Sequence, residues 1–286
     1  MGLRSQAAME YLMTYGWALL AIMIVAIALF QLGILNGSNV AAHSTAGACQ
    51  AIHSAAGSSL AGQCNNEWPK FVAQFNGANS YVNVGGSVPQ LSSFTIAGWI
   101  EFNTNTAWMM IDRGAAATAG SYYVYGDHVS SGSGNGPDCT IFGPTGSRYD
   151  IFFGALSTGT WYFLTCTFNS QTGTVQTYVD AAPIQSEAAA ALGTSTSITQ
   201  IGNYAGGGYY LNGRLADLQL YNASLSQSEV TALYQEGIGA VPIDPAHLVG
   251  WWPLNGNTQD YSGNNDQGIA TAVAYNSTWS SGYVQP

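Results

Sequence analysis

Residues 161–180 read WYFLTCTFNSQTGTVQTYVD, two runs rich in β-branched and aromatic residues around a polar stretch closed by a glycine. Such runs form strands, and the polar stretch forms the turn between them. Trp161, Phe163, Thr165 and Thr167 alternate imperfectly with Tyr162, Leu164, Cys166 and Phe168, a pattern that suits a strand buried on both faces or bent across a curved sheet. Outward from this stretch the same texture recurs in SYVNV (80–84), FTIAGWIEF (94–102), YYVYG (122–126), YDIFFGAL (149–156) and RLADLQLY (214–221). Short strands at this spacing, separated by Gly, Ser and Asn turns, predict an antiparallel all-β sandwich. One segment differs: SLSQSEVTALYQEG (224–237) predicts a helix with Ser226 as N-cap, Glu229 three residues on, and Gly237 as its stop.

At 286 residues and 30.0 kDa the chain can hold one large β domain beside an anchoring segment. Hydrophobic residues make up 47% and charged ones only 7%, against about 25% in ordinary soluble domains. Neutral hydrogen-bonding groups, among them 17 Tyr and the many Ser, Thr and Asn, must solvate the surface. The net charge of -10 supplies no counterion release and so excludes nucleic acid as a partner. Few ionisable groups also means few whose titration could unfold the protein.

Residues 1–37, MGLRSQAAMEYLMTYGWALLAIMIVAIALFQLGILNG, carry no charged side chain from Tyr11 to Leu35. That length spans a bilayer as a helix. Arg4 before it sets the N-terminus inside and the body outside. Glu10, at the edge of the apolar run, is costly in lipid unless paired or at the interface. Residues 38–70 are rich in Ala, Ser and Gly and read as a neck. Of the three connectivities open to Cys49, Cys64, Cys139 and Cys166, the local one is preferred: Cys49 with Cys64, stiffening the neck, and Cys139 with Cys166.

The stretch RSQAAMEYLMTYGWALLAI (4–22) resembles the class III signal peptides of archaeal prepilins of the type IV pilin-like class, with Ser5 where Gly is commoner. The resemblance implies cleavage by a prepilin peptidase between Ser5 and Gln6. It also implies that Glu10, at the fifth position of the mature chain, neutralises the new terminal amine during filament assembly. A buried ammonium and carboxylate tolerate loss of water better together than singly. The implied organisation is a leader (1–5), a membrane and filament-core helix (6–37), the neck (38–70) and a head (71–286). Implied partners are the membrane before assembly, the pilus assembly machinery and other copies of the subunit in a homopolymer. The implied location is an extracellular surface filament.

FNGANSYVNVGG (75–86), SFTIAGWIEF (93–102), STGTWYFLTCTF (157–168), TYVDAAP (177–183) and IGNYAGGGYYLNGRLADLQLYNASLSQSEVTALY (201–234) resemble, in order, the laminin G-like, concanavalin A-like lectin family. The resemblance implies a jelly-roll sandwich that contacts surface glycans. Relatives carry two acids in the strand after the glycine matching Gly213, where this chain has Ala216 and Asp217, so Asp217 is the one acid left for a structural calcium. No other cofactor is implied. The tail LVGWWPLNGNTQDYSGNNDQG (248–268) resembles the segment that usually opens such a sandwich, so the domain is read as circularly permuted, with closure inside one chain favoured over donation to a neighbour.

No catalytic constellation stands out. Glu101, Asp112, Asp127 and Asp150 are scattered and read as solvated or loop-capping acids, and His43, His53, His128 and His247 lack a metal or triad context. Tyr122, Tyr123, Tyr125, Tyr209 and Tyr210 are candidates for stacking on sugars. Sequons at Asn36, Asn222 and Asn276 offer N-glycosylation. The expected function is a non-enzymatic structural subunit of a type IV pilus-like filament displaying a lectin-like adhesive head. The alternative is a singly anchored surface lectin that never polymerises. Mass spectrometry of the chain from its native cells should find the N-terminus at Gln6, and a start at Met1 or beyond Asn36 contradicts the prepilin resemblance.

Overall fold

The computed structural model describes residues 68–286 apart from 87, 106, 115–118, 127–135, 190, 195–197 and 240, together with Met23 and the pairs 51–52 and 61–62. The chain divides into two compact units, Met1–His43 and Ser44–Pro286. Of the first, only Met23 is described, helical and exposed. Ser5, Gln6, Glu10, Asn36, Cys49 and Cys64, and with them the expected apolar helix, lie outside the described residues. Among the described residues no helix is long and apolar enough to cross a membrane. In the neck, Ala51–Ile52 (β1) and Ala61–Gly62 (β2) pair antiparallel.

The head is an antiparallel sandwich, as its resemblance implies. Sheet I has the order β12-β11-β10-β5-β14-β3-β17, with β15 also paired to β14. Its strands are Ala182–Ala188 (β12), Thr174–Val179 (β11), Trp161–Asn169 (β10), Phe94–Phe102 (β5), Asn212–Tyr221 (β14), Val72–Asn76 (β3), Ala274–Asn276 (β17) and Leu248–Trp252 (β15). Sheet II runs β16-β4-β13-β6-β7-β8-β9. Its strands are Ile269–Thr271 (β16), Tyr81–Gly85 (β4), Thr199–Ile201 (β13), Trp108–Arg113 (β6), Tyr122–Gly126 (β7), Asp138–Phe142 (β8) and Arg148–Phe152 (β9).

Alternation sends one face of the central strands into the core between the sheets. Phe94, Ile96, Leu164, Phe168 and Leu218 from sheet I meet Met110, Tyr122, Val124, Ile141 and Ile151 from sheet II. The other face of sheet I is also buried, under the helix α1 (Gln227–Glu236) and the end of the tail: Trp99, Trp161 and Phe163 pack with Val230, Leu233, Trp279 and Tyr283. Burial on both faces explains why the 161–168 run looked apolar on both sides. The helix starts at the expected Ser226–Glu229 capping box and stops at Gly237, whose φ of 79° suits a residue without a Cβ. Gly213 is required for a different reason, since a Cβ there would lie 2.1 Å from the Glu101 carbonyl oxygen on β5.

The Cys139–Cys166 disulfide forms as expected, but it joins β8 of sheet II to β10 of sheet I across the core. Proximity in sequence predicted the partners and concealed that they belong to opposite layers.

The tail closes its own chain's sandwich. β14 pairs with β3 through Asn212–Leu215 and with β15 through Leu218–Tyr221, while β5 runs along its other edge. All five residues of β15 are buried, and Trp252 fills the core with its Nε1 donating to the Asp266 carbonyl at 2.9 Å. Beyond it, β16 adds to β4 and β17 to β3, so the tail seals one side of both sheets. The Asn- and Gly-rich loop between β15 and β16 is folded around Asp260, which accepts from the backbone N–H of Trp251, Ser262 and Asp266. The head also reaches upstream of residue 71: Trp68 stacks near Trp279 and donates to Gln285.

Truncating a fully buried Trp costs about 3–5 kcal/mol. Trp252→Ala should therefore lower the Tm of the full chain by roughly 10 °C. A chain cut after His247 that melts cooperatively at the intact temperature would show the tail to be an appendage.

Candidate functional site

With one face of sheet I covered by α1 and the tail, the outer face of sheet II is the other broad face, although Met109, Asp112, Tyr123, Asp138 and Thr140 on it are buried. Register sets a row across it, Asn83, Gln200, Asp112, Tyr123, Thr140 and Asp150, each directly opposite the next on the neighbouring strand. A second row places Met109 opposite Tyr125, Tyr125 opposite Asp138 and Asp138 opposite Phe152. Alternation explains the composition, because Tyr122, Val124, Cys139 and Ile141 point inward and leave Tyr123, Tyr125, Asp138 and Thr140 outward.

The loop 202–211 between β13 and β14 is pinned beside these rows. Gly202 N–H donates to the Met110 carbonyl, Met109 N–H to the Tyr209 carbonyl, and Ala205 N–H to Asp112 Oδ2 at 2.8 Å. The loop thereby brings Tyr204 and Tyr209 to Tyr125: the Tyr125–Tyr209 and Tyr204–Tyr209 ring centroids are each 5.5 Å apart, in edge contacts. Tyr123 and Phe142 continue the aromatic surface at 5.9 Å, over Met109. Tyr209 is 38% exposed, Tyr125 and Tyr204 are half-buried, and Tyr123 lies in the floor.

Polar groups line that floor. Asp112 is buried and its Oδ1 has no hydrogen-bond partner, and the same holds for Oδ1 of buried Asn203, whose Nδ2 donates to Gln200 Oε1 at 3.1 Å. On the β8–β9 side, Thr140 Oγ1 lies 2.7 Å from both Asp138 Oδ1 and Asp150 Oδ1. A hydroxyl carries one hydrogen, so it can donate to only one of them. The other contact is a hydrogen bond if the carboxyl is protonated and donates to the hydroxyl. Asp138 is the member for that role: burial pushes its carboxyl up to about 7, while Arg148 Nε holds Asp150 at 2.6 Å. The Thr140 hydroxyl occupies the gap between the two acids, where a hydrolase would need the bond to be cleaved.

The residues singled out from sequence fall in different places. Tyr125 and Tyr209 meet in the aromatic group and Tyr123 lies beneath it, but Tyr122 is a core residue stacked on Phe94, and Tyr210 is half-buried outside the group. Glu101 and Asp112 are not solvated loop acids: Glu101 is buried against Arg214 at 3.1 Å, and Asp112 sits mid-strand. Asp150 is half-buried in its ion pair, His247 is exposed beside Asp244, and His43, His53, Asp127 and His128 lie outside the described residues.

Asp217 is enclosed, with Oδ1 accepting from Trp251 Nε1 at 2.7 Å and Oδ2 from Gln219 Nε2 at 3.0 Å, so both oxygens serve the fold. Among the described residues no group of three or more His, Cys, Asp or Glu is placed to hold a metal ion. Asn222 is exposed at the end of β14, whereas the Asn276 amide donates to Gln74 and its oxygen accepts from Thr278. Asp138, Thr140, Arg148, Asn203 and Tyr204 went unnoticed in the sequence, where nothing marks the cross-strand neighbours.

A two-sheet antiparallel sandwich with one aromatic and polar sheet face left over defines a lectin-like domain. Residues 76–231 match the family described as the concanavalin A-like lectin/glucanases superfamily, and the chain belongs to it. Among solved structures, a Bacteroides ovatus protein assigned a carbohydrate-binding role aligns at a TM-score of 0.56 and 16% identity, covering 72% of this chain and 60% of that one. The native heptameric SAP-like pentraxin from Limulus polyphemus aligns at a TM-score of 0.52 and 16% identity, covering 72% of this chain and 94% of that one. At such identity these likenesses concern the fold. The first is longer, and this chain spans about 60% of its length. Comparison with the curated proteins returns no match.

Asp112, Asp138 and Asp217 are all pushed up to about 7 by burial, and Glu101, Asp180 and Glu236 move in the same direction. A carboxyl whose folded pKa exceeds its unfolded one binds more protons when folded, so its stability contribution is complete below about 4 and is lost as pH rises towards 7. The expected outcome is a Tm that falls by roughly 10 °C between pH 4 and pH 8, taking about 1.4 kcal/mol for one pKa unit on each of the three aspartates. Asp138→Asn should flatten this profile, and a Tm that rises over the same range contradicts the protonated assignment.

Proposed function

We propose that the head binds carbohydrate through the outer face of sheet II and does not hydrolyse it. The observation that carries this reading is the Tyr125–Tyr204–Tyr209 group, partly exposed beside buried unsatisfied acceptors at Asp112 and Asn203. Aromatic faces accept the apolar face of a sugar ring, and fixed polar groups around them orient its hydroxyls. The carbohydrate-binding role assigned to the Bacteroides ovatus protein of like fold supports it. Against hydrolysis stands Thr140, whose hydroxyl fills the space between Asp138 and Asp150.

We further propose that the N-terminal segment makes the chain a type IV pilin-like subunit, processed before Gln6 and polymerised through residues 6–37, with the head displayed outside for adhesion. What supports this is the joint occurrence of Gln6, Glu10 and the uncharged run from Tyr11 to Leu35. The composition, poor in charged residues and rich in Tyr, suits an exported head.

Two measurements test the two halves. On a glycan array the full chain should bind a defined set of oligosaccharides, and Tyr209→Ala should weaken that binding roughly tenfold, the effect of removing a dominant contact aromatic, without changing the Tm. Binding left intact by the substitution would place the glycan site elsewhere. Electron microscopy of the native cells should show filaments containing the chain, lost in Glu10→Ala; surface-anchored chain without filaments would favour the singly anchored lectin.

A further inference from the structure

We propose that this face is selective for uncharged glycans and rejects those carrying carboxylate or sulfate groups. The inference rests on the carbohydrate-binding reading above and names the class of sugar that the site takes.

Its first support is the kind of group left open in the floor. Asp112 is fully buried, with Oδ2 held by the Ala205 N–H and Oδ1 without a partner. Asn203 is 3% exposed, with its Nδ2 used by Gln200 and its Oδ1 without a partner. The loop that carries Asn203 contacts Asp112 two residues later, at Ala205, so both open positions belong to one corner of the site. With Asp112 ionised, as at pH 8, each is an acceptor in need of a hydrogen. A sugar hydroxyl supplies one, whereas a carboxylate or sulfate is itself acceptor-only and leaves both atoms unsatisfied.

Charge acts in the same direction. Asp112, Asp138 and Asp150 all face this side of sheet II. Arg148, which lies opposite Phe142 on this side of the sheet, has its Nε 2.6 Å from Asp150. Arg113, the next residue after Asp112, alternates to the other side, is buried, and reaches Thr199. At pH 8, where these carboxyls are ionised, an anionic sugar laid on the rings would bring its charge over them in a partly desolvated floor, where like charges repel more strongly than in water. The tyrosine rings stack on charged and uncharged sugars alike, so discrimination comes from the floor. The chain as a whole holds 15 acids against 5 Lys and Arg, and adds no long-range attraction for an anionic glycan.

The test is an array carrying neutral oligosaccharides beside their acidic counterparts, such as lactose beside 3′-sialyllactose and tetragalactose beside tetragalacturonate. It is probed with the full chain at pH 8 with calcium present, so that any bound cation is given its chance to recruit anions. The expected result is that every glycan bound is neutral and that its acidic counterpart binds at least tenfold more weakly. In Asp150→Asn, which removes the carboxylate nearest Arg148, the ratio should narrow several-fold. Acidic counterparts bound as tightly as the neutral ones, or more tightly, would overturn the selectivity while leaving the lectin reading in place. An array on which nothing binds would remove the lectin reading itself, and this inference with it.

Discussion

Strand β14 must be paired along both edges, and the whole head is arranged around that requirement. Its ten residues run beside β5 on one side, but β3 reaches only Leu215 on the other. Without β15 the backbone of Leu218–Tyr221 would present an open edge next to a gap in the core. The join is made at Asp217, in the left-handed region with φ of 52°, whose N–H donates to the Pro253 carbonyl and whose carboxyl takes the Trp251 indole N–H. A strained, buried acid is costly by itself. It persists because it fastens the strand that completes the sheet.

Once the tail is required, the centre of the outer face of sheet I is covered. The chain leaving β14 forms α1, which lies on that face, and the chain leaving β17 brings Trp279 and Tyr283 onto it beside Trp99 and Trp161. Sheet II is the face proposed for recognition. The disulfide couples the two layers at a useful point, since Cys139 lies between Asp138 and Thr140 on β8 and is tied through the core to β10. The strand that presents the carboxyl and hydroxyl of the site is therefore anchored to the better-buried sheet.

Much of this frame could be read from residues. Aromatic and β-branched runs marked the strands, Ser226 and Glu229 marked the helix start, and the order of motifs marked the family. The site was harder to see because it is made by register. Asp112, Tyr123, Thr140 and Asp150 stand on four strands and become neighbours only through pairing that no local pattern encodes. Tyr122 and Tyr123 were both candidates for sugar contact, and it took the packing of Tyr122 against Phe94 to show that the first of them belongs to the core. Asp217 looked like the remnant of a metal site because the sequence could not show Trp251, 34 residues away, arriving as its hydrogen-bond partner. The N-terminal expectations at Gln6 and Glu10 concern residues outside those described.

The claim on which the account turns is that recognition belongs to sheet II because α1 and the tail occupy sheet I. Hydrogen exchange of the full chain, with and without a neutral oligosaccharide drawn from the array, tests it directly. Added protection should appear in 203–211 and in β7 and β8, with α1 and 279–285 unchanged. Protection gained over α1 and the tail end, with 203–211 unaffected, would contradict the account.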